Sequence, residues 1–233
     1  MEPAGVIPIA LSLEGPRGVN AFLILGERPV LVDTGVPGSE GRILEVLATV
    51  GVEPCDVALI LLTHAHGDHT GSAWALKQAT GAPVAIQLLD APHLAAGESA
   101  PVEGRTPEAR RFIEKMKVRR QANPFVLRAF SADLIIGDEL PLAEFGVRGR
   151  AIHTPGHTDG GLSVVLDGGD AIVGDLVGSD PKAPGTPAPA MLAVNAEKMD
   201  ASIRRVVALA PHVVYAGHEG PFTLEQMRAA FPL

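Results

Sequence analysis

Three imidazoles and a carboxylate occupy six consecutive positions, His64-Ala65-His66-Gly67-Asp68-His69, following the apolar run Val57-Ala58-Leu59-Ile60-Leu61-Leu62 and Thr63. A short apolar run that ends in a polar turn reads as a buried strand. The cluster therefore falls on a strand-to-helix turn, where side chains at alternate positions converge on one point. Neutral imidazole nitrogen and carboxylate oxygen are the donors that zinc and related transition ions take. A chain built around such a turn must fold so that distant segments bring in the remaining donors.

Three segments have the form to do so. Thr154-Pro155-Gly156-His157 follows a short apolar stretch, Ala171-Ile172-Val173-Gly174-Asp175 ends another, and Val213-Val214-Tyr215-Ala216-Gly217-His218 ends a third. Each sets a donor at the tip of a predicted strand. Glycine precedes each of these donors and removes a Cβ where the backbone bends beside a crowded centre. The set comprises five histidines and two aspartates, which exceeds the needs of one tetrahedral ion but suits two ions sharing a bridging carboxylate and a bridging hydroxide. His93, His153 and His212 stand outside these motifs: His93 reads as exposed in a helical turn, and the other two flank strands without matching a ligand position.

The order His64-x-His66-x-Asp68-His69, His157, Asp175, His218 resembles the metallo-β-lactamase superfamily, and Leu31-Val32-Asp33-Thr34-Gly35 is similar to the early Asp-Thr-Gly strand end of that family. The resemblance implies an α/β fold, the four-layer αβ/βα sandwich. It implies that His64, His66 and His157 hold one metal, that Asp68, His69 and His218 hold a second, and that Asp175 bridges them. Asp33 is then expected to orient a ligand imidazole through its other nitrogen. Two divalent ions are the expected cofactor, zinc first, with iron or manganese also suited to these donors.

Composition bounds the rest. The 233 residues, 46% hydrophobic and 20% charged, suffice for a sizeable core, and residues 1–233 read as one domain. A net charge of -8 argues against nucleic acid or an anionic membrane as partner, because phosphate binding relies on clustered positive charge. The single cysteine, Cys55, excludes an internal disulfide and reads as a buried or semi-buried thiol. Met1 to Gly5 lacks the pattern of a secretion signal, and no apolar run reaches bilayer-spanning length, so a cytoplasmic protein is expected.

Strands are predicted over Val6 to Leu13, Val19 to Leu25 and Pro29 to Asp33, with Gly15-Pro16 as punctuation. Ile43, Leu44, Leu47 and Val50 then recur at helical spacing up to Gly51. After strand 57–62 and the donor turn, a helix is expected from Gly71 to Thr80, then a strand from Pro83 to Gln87. The second half repeats the scheme with apolar segments at Leu134 to Ile136, Val147 to His153, Leu162 to Leu166 and Ala171 to Val173. A helix with stripe Met199, Ile203, Val206, Val207 and Ala210 and cap Asn195 follows, then strand 213–216 and a last helix from Leu224.

Two segments depart from this scheme. Between about 90 and 130, near the expected mouth of the site, a helical insertion carries Pro107, the stripe Phe112, Ile113 and Met116, and a basic set Arg110, Arg111, Lys115, Lys117, Arg119 and Arg120. It reads as a solvated charged face or as a lid favouring an anionic substrate. Gly178 to Pro189 carries four prolines, which argues against regular helix or sheet there and suggests a rim to the pocket.

The chemistry implied is hydrolysis. Two ions lower the pKa of a shared water enough to supply hydroxide near neutral pH while one polarises a carbonyl. No Gly-x-Ser-x-Gly turn offers a covalent nucleophile. By resemblance, Asp68 carries a proton towards the leaving group, and the substrate is a small molecule with an ester-like bond, a thioester, lactone or ester. Asp175 as bridge matches glyoxalase II-like thioesterases and lactonases. The chain departs from both where Thr158-Asp159-Gly160-Gly161 stands in place of a second histidine, and the few residues after His218 leave no room for the glutathione-binding domain of glyoxalase II. The alternatives are a mononuclear iron dioxygenase acting on a persulfide, for which three of these ligands suffice, and a metal-binding module without turnover. A nuclease or phosphodiesterase is disfavoured by the acidic charge.

Overall fold

The computed structural model describes residues 5–11, 18–122 and 126–233. Ser12 and Leu13 of the first predicted strand, Gly15-Pro16 and residues 1–4 lie outside the described residues, as does the side chain of Arg120.

In chain order the elements begin with β1 (Gly5–Leu11), β2 (Val19–Leu25), β3 (Val30–Val32), α1 (Glu40–Thr49), β4 (Leu59–Leu61), α2 (Gly67–Thr70), α3 (Ala73–Thr80) and β5 (Val84–Gln87). The chain continues through α4 (Ala91–Ala96), α5 (Pro107–Ala122), β6 (Leu134–Ile136), β7 (Glu139–Pro141), β8 (Gly149–His153), β9 (Leu162–Leu166) and β10 (Asp170–Ile172). It ends with β11 (Val177–Asp180), β12 (Ala183–Pro189), α6 (Ala196–Ala208), β13 (Val213–Tyr215), β14 (Phe222–Thr223) and α7 (Leu224–Ala230). The strands form two six-stranded sheets, ordered β1-β2-β3-β4-β5-β6 and β14-β13-β10-β9-β8-β7, and a separate β11-β12 ribbon.

Strand alternation explains the layers. In β2, Phe22 and Ile24 turn inward while Leu23 turns outward; Leu59 and Leu61 of β4 do the same around Ile60. Successive side chains of a strand point to opposite faces, so a strand apolar on both faces must be covered twice. Three apolar cores result. One lies between the first sheet and its helices, with Leu23, Leu31, Ile43, Leu47, Ile60 and Leu76. The middle one lies between the sheets, with Phe22, Val32, Leu61, Val164 and Ile172. The third joins the second sheet to α6 and α7 through Val214, Met199, Ile203, Val207 and Met227. This is the four-layer α/β sandwich expected. Truncating a fully buried leucine such as Leu61 to alanine would cost about 2–5 kcal/mol.

Strand direction then places the site. β3, β4 and β5 run parallel, and β8 and β10, both antiparallel to β9, run with β13. Their C-terminal ends open on one edge, the position where α/β sheets carry ligands. The segments after β3, β4, β8, β10 and β13 are those bearing Asp33, His64 to His69, His157, Asp175 and His218.

Several expectations are corrected. β6 pairs with β5 and completes the first sheet rather than opening the second. The proline-rich segment forms regular structure, because β11 and β12 pair as an antiparallel ribbon. The Ala190 amide donates to Leu176 O, so alternate amides face β11 while Pro187 and Pro189, which have none, face the open side. Ala210 lies beyond α6 with φ 53° and is not part of its stripe. Cys55 is exposed, because Pro54–Asp56 forms a 3-10 turn on the surface. His93 in α4 is half-buried rather than exposed. Elsewhere the end signals act as expected: Gly51 and Gly81 turn left-handed after their helices, and Asn195 Oδ1 accepts the Lys198 amide at 2.9 Å.

Of the basic helix, α5, the residues from Glu114 to Arg119 are exposed, and two of its cations are paired within the helix: Arg111 with Glu108 at 2.7 Å and Lys117 with Glu114 at 2.9 Å.

Candidate metal centre

The seven predicted donors come together. Ligand atoms of His64, His66 and His157 form one group, those of Asp68, His69 and His218 a second, and those of His64, His69 and Asp175 a third that overlaps both; within each group the atoms lie within 4.8 Å of one another. Asp175 stands between the groups, with Oδ2 3.6 Å from His157 Nε2 and 3.2 Å from His218 Nε2, and Oδ1 3.4 Å from His69 Nε2.

Each ring is fixed through its far nitrogen. His157 Nδ1 lies 2.8 Å from Leu192 O, His66 Nε2 3.2 Å from Ala100 O, and His218 Nδ1 2.8 Å from Gly18 O. A carbonyl only accepts, so each of these ring nitrogens donates. In His66 and His157, whose proton affinity is lowered, the other nitrogen is a bare lone pair facing the centre, whereas His218 Nε2 faces the carboxylates of Asp68 and Asp175. Asp33, at φ 59°, accepts from the Thr63 amide and hydroxyl, both at 2.7 Å, and from His69 Nδ1 at 2.8 Å. The Thr63 hydroxyl, having donated its proton to Asp33, accepts from His64 Nδ1 at 3.0 Å. Asp33 thus orients His69 directly and His64 through Thr63.

These donors fit a cation. His66 Nδ1 and His157 Nε2 face each other at 3.0 Å, and moving a proton between them would turn another lone pair of His66 onto the Ala100 carbonyl. His64 Nε2, His69 Nε2 and Asp175 Oδ1 are buried without a hydrogen-bond partner among the described residues. Buried polar atoms left unpaired cost free energy, and a positive ion relieves all of these contacts at once.

Proton affinities divide the site. Burial, reinforced by neighbouring imidazoles, holds His64 well below the ordinary histidine range. Burial and then His157 push His66 down to about 3, against the pull of Asp68 and Asp175. His157 is lowered by burial, which outweighs Asp175. His69 goes the other way: burial opposes its charge, but Asp175 and Asp33 raise it to about 10. His218 is likewise raised, Asp175 and Asp68 overcoming burial. Burial raises both Asp175 and Asp68, yet the facing His218 and His69 bring each below the usual carboxylate range.

The backbone makes room. A Cβ on Gly217 would collide with Asp175 Oδ1, and one on Gly174, at φ 53°, would come within 2.7 Å of Thr63 Oγ1. Tyr215 packs into the middle core, edge-on to Phe22 with centroids 5.8 Å apart. His153 donates to or accepts from none of the donors and lies 2.7 Å from Asp159 O; His212 is exposed. One participant was not visible in the sequence: Asp90, buried after β5, hydrogen-bonded to the backbone on both sides of the centre. A lone aspartate after a strand has no spacing to mark it.

The pattern of the metallo-beta-lactamase superfamily matches residues 15–218. A Methanocaldococcus jannaschii protein named as a probable metallo-hydrolase is 27% identical over 158 residues, 68% of this chain and 66% of that protein. The Mus musculus metallo-beta-lactamase domain-containing protein 1 is 57% identical over 44 residues, 19% of this chain and 17% of that protein. The chain thus spans less than two thirds of either relative in these matches. A crystal structure of a protein in a di-iron-bound form has a TM-score of 0.67 at 25% identity, covering 97% of this chain and 98% of that one.

Proposed function

The chain belongs to the metallo-β-lactamase superfamily, and from that premise we propose that this metallo-hydrolase works with two divalent ions and cleaves an ester-like bond, a thioester, lactone or ester, of a small molecule. The observation that carries the reading is Asp175, whose two oxygens face imidazoles of both donor groups. One carboxylate so placed serves both groups at once, whereas a one-ion site has no use for a second complete set. Zinc is the ion we expect; a donor set of nitrogen and oxygen without sulfur also suits iron or manganese, and the di-iron form of a similar structure supports that range.

Bound divalent ions supply a Lewis acid and a water acidic enough to ionise near neutral pH. The protein's part is positional. His64, His66 and His157 hold one ion through nitrogens already deprotonated by burial, so no proton need leave them. Asp68, His69 and His218 hold the other. The Asp68 side chain, part-exposed and with Oδ2 3.4 Å from His218 Nε2, can take a proton from an attacking water and pass it to the leaving group at the open side of the site. α5 is proposed to favour an anionic substrate. Among the described residues no helix is long and apolar enough to cross a membrane.

Elemental analysis of purified protein combined with a screen of thioesters, lactones and aryl esters tests the proposal. We expect two equivalents of metal and cleavage of at least one class. A single equivalent of iron with oxygen uptake on a persulfide would replace this reading with the dioxygenase, and tight metal binding without turnover would replace it with a binding module.

A further inference from the structure

Asp90 is 1% exposed. Its Oδ2 accepts from the Ala65 amide at 2.7 Å and from the Thr158 hydroxyl at 2.9 Å, and its Oδ1 accepts from the Gly160 amide at 2.9 Å. Ala65 sits between His64 and His66, and Thr158 directly follows His157. The first donor group is assembled from two loops on different sheets, one after β4 and one after β8, with His66 and His157 91 positions apart. A single carboxylate bonds both loops beside their ligands. The approach is close on the second loop too, where a Cβ on Gly160 would stand 2.5 Å from Asp90 Oδ1.

We infer that Asp90 is a positioning residue for metal binding: it sets the separation between the His64–His66 turn and the His157 loop, and so tunes the first donor group without touching the second. The inference rests on the reading that this group holds an ion. Its side chain makes no hydrogen bond to Asp68, His69 or His218 among the described residues. The reason a carboxylate is needed is arithmetic of donors. Two amides and a hydroxyl point at it, and asparagine would have to aim its own NH2 at an amide N–H whichever way it turned. A loop released on one side lets three imidazoles drift from the geometry that an ion requires, and partners that orient ligands in this way typically change affinity by about 10–100-fold.

The test isolates each group. In a His218→Ala background, where the first group is the complete one, Asp90→Asn is expected to weaken zinc binding on the order of 10–100-fold in competition with a chelator. In a His157→Ala background, where the second is complete, the same substitution is expected to leave zinc affinity within about twofold, since orienting partners act on their own ligands. The cobalt-loaded protein should show altered ligand-field bands only in the first background. Thr158→Val, which removes one of the three bonds and spares the carboxylate, should give the same pattern at smaller amplitude and covers the case in which Asp90→Asn does not fold. Equal weakening in both backgrounds would mean a general structural role and overturn the inference; unchanged affinity in the first would overturn it as well. The metal count of the unaltered protein separately decides whether two ions bind, so failure of that reading and failure of this one are told apart.

Discussion

The two donor groups use the same residue type to opposite electrostatic ends. In the first, His64, His66 and His157 are buried against one another, and their far nitrogens donate to a hydroxyl or a carbonyl. Each loses proton affinity. In the second, His69 lies between Asp33 and Asp175, and His218 lies between Asp68 and Asp175; both gain proton affinity. Four of the rings are buried and His218 is half-buried, and desolvation disfavours the charge on each. What separates them is the balance with the neighbours. In the first group desolvation prevails, reinforced by adjacent imidazoles at His64 and His66 and outweighing Asp175 at His157, while in the second two carboxylates beside each ring overcome it. The first half is therefore unprotonated before any cation arrives, and the second would have to give up protons to hold one.

The largest effect expected from breaking this arrangement is at Asp175, which both halves share. Asp175→Ala should lower metal content at both groups and reduce activity by more than the roughly 10–100-fold that orienting partners cost; metal analysis beside kcat measures it, and retention of a full metal complement would break the comparison. Asp33→Asn is next. It removes the negative charge behind His69 and turns an NH2 towards one of the donors from Thr63 or His69. Metal binding should weaken by about 10–100-fold at the second group, with a smaller loss at the first through Thr63 and His64, while the proton affinity of His69 falls, which NMR titration of the ring reads directly.

The metal-free protein should be most stable near the ordinary histidine pKa of about 6.5. On the acid side, His66, held at about 3, stays neutral in the folded chain while the unfolded chain takes up protons, so stability falls as pH drops from 6.5 towards 3. His64 and His157 act in the same direction, and Asp68 and Asp175 add to the loss at lower pH. On the alkaline side His69, raised to about 10, contributes stability in full below 6.5 and loses it as pH rises to 10. Melting temperatures across this range would show a maximum; a curve rising steadily through pH 9 would contradict the assignment of the second group.

The smallest expected effect lies outside the centre. Charge reversal at Arg111 and Arg119 should raise KM for an anionic ester severalfold with kcat unchanged, the range that exposed charges allow. Equal KM values for the variant and the parent chain would remove α5 from substrate selection.

Part of this was readable from residues alone because the relevant signals are local. The run ending at Leu62 and the donors after it announce a strand and a turn, and Asn195 and Gly81 mark helix ends through short-range hydrogen bonding and backbone freedom. The proline-rich segment misled, since the rule against proline in sheets holds for strands paired on both sides, and in a two-stranded ribbon every strand has an open edge. Cys55 misled for a related reason: its apolar character says nothing of the surface 3-10 turn that carries it. β6 could not be assigned to a sheet from Leu134 to Ile136, because three apolar residues do not specify a partner.

By itself, the sequence determined which atoms were available: five imidazoles and two carboxylates at strand ends, in an order that resembles one superfamily. Chemical identity and short spacing are properties of the chain as written. The resemblance carried the expectation that Asp175 serves both groups and that Asp33 orients a ring. Only the tertiary structure decided that Asp33 holds His69 itself, that Thr63 relays it to His64, and that Asp90 ties two loops from different sheets. Those relations depend on parallel strand ends meeting at one edge, and on how closely the backbone at Gly160 approaches Asp90, a distance that no local pattern encodes.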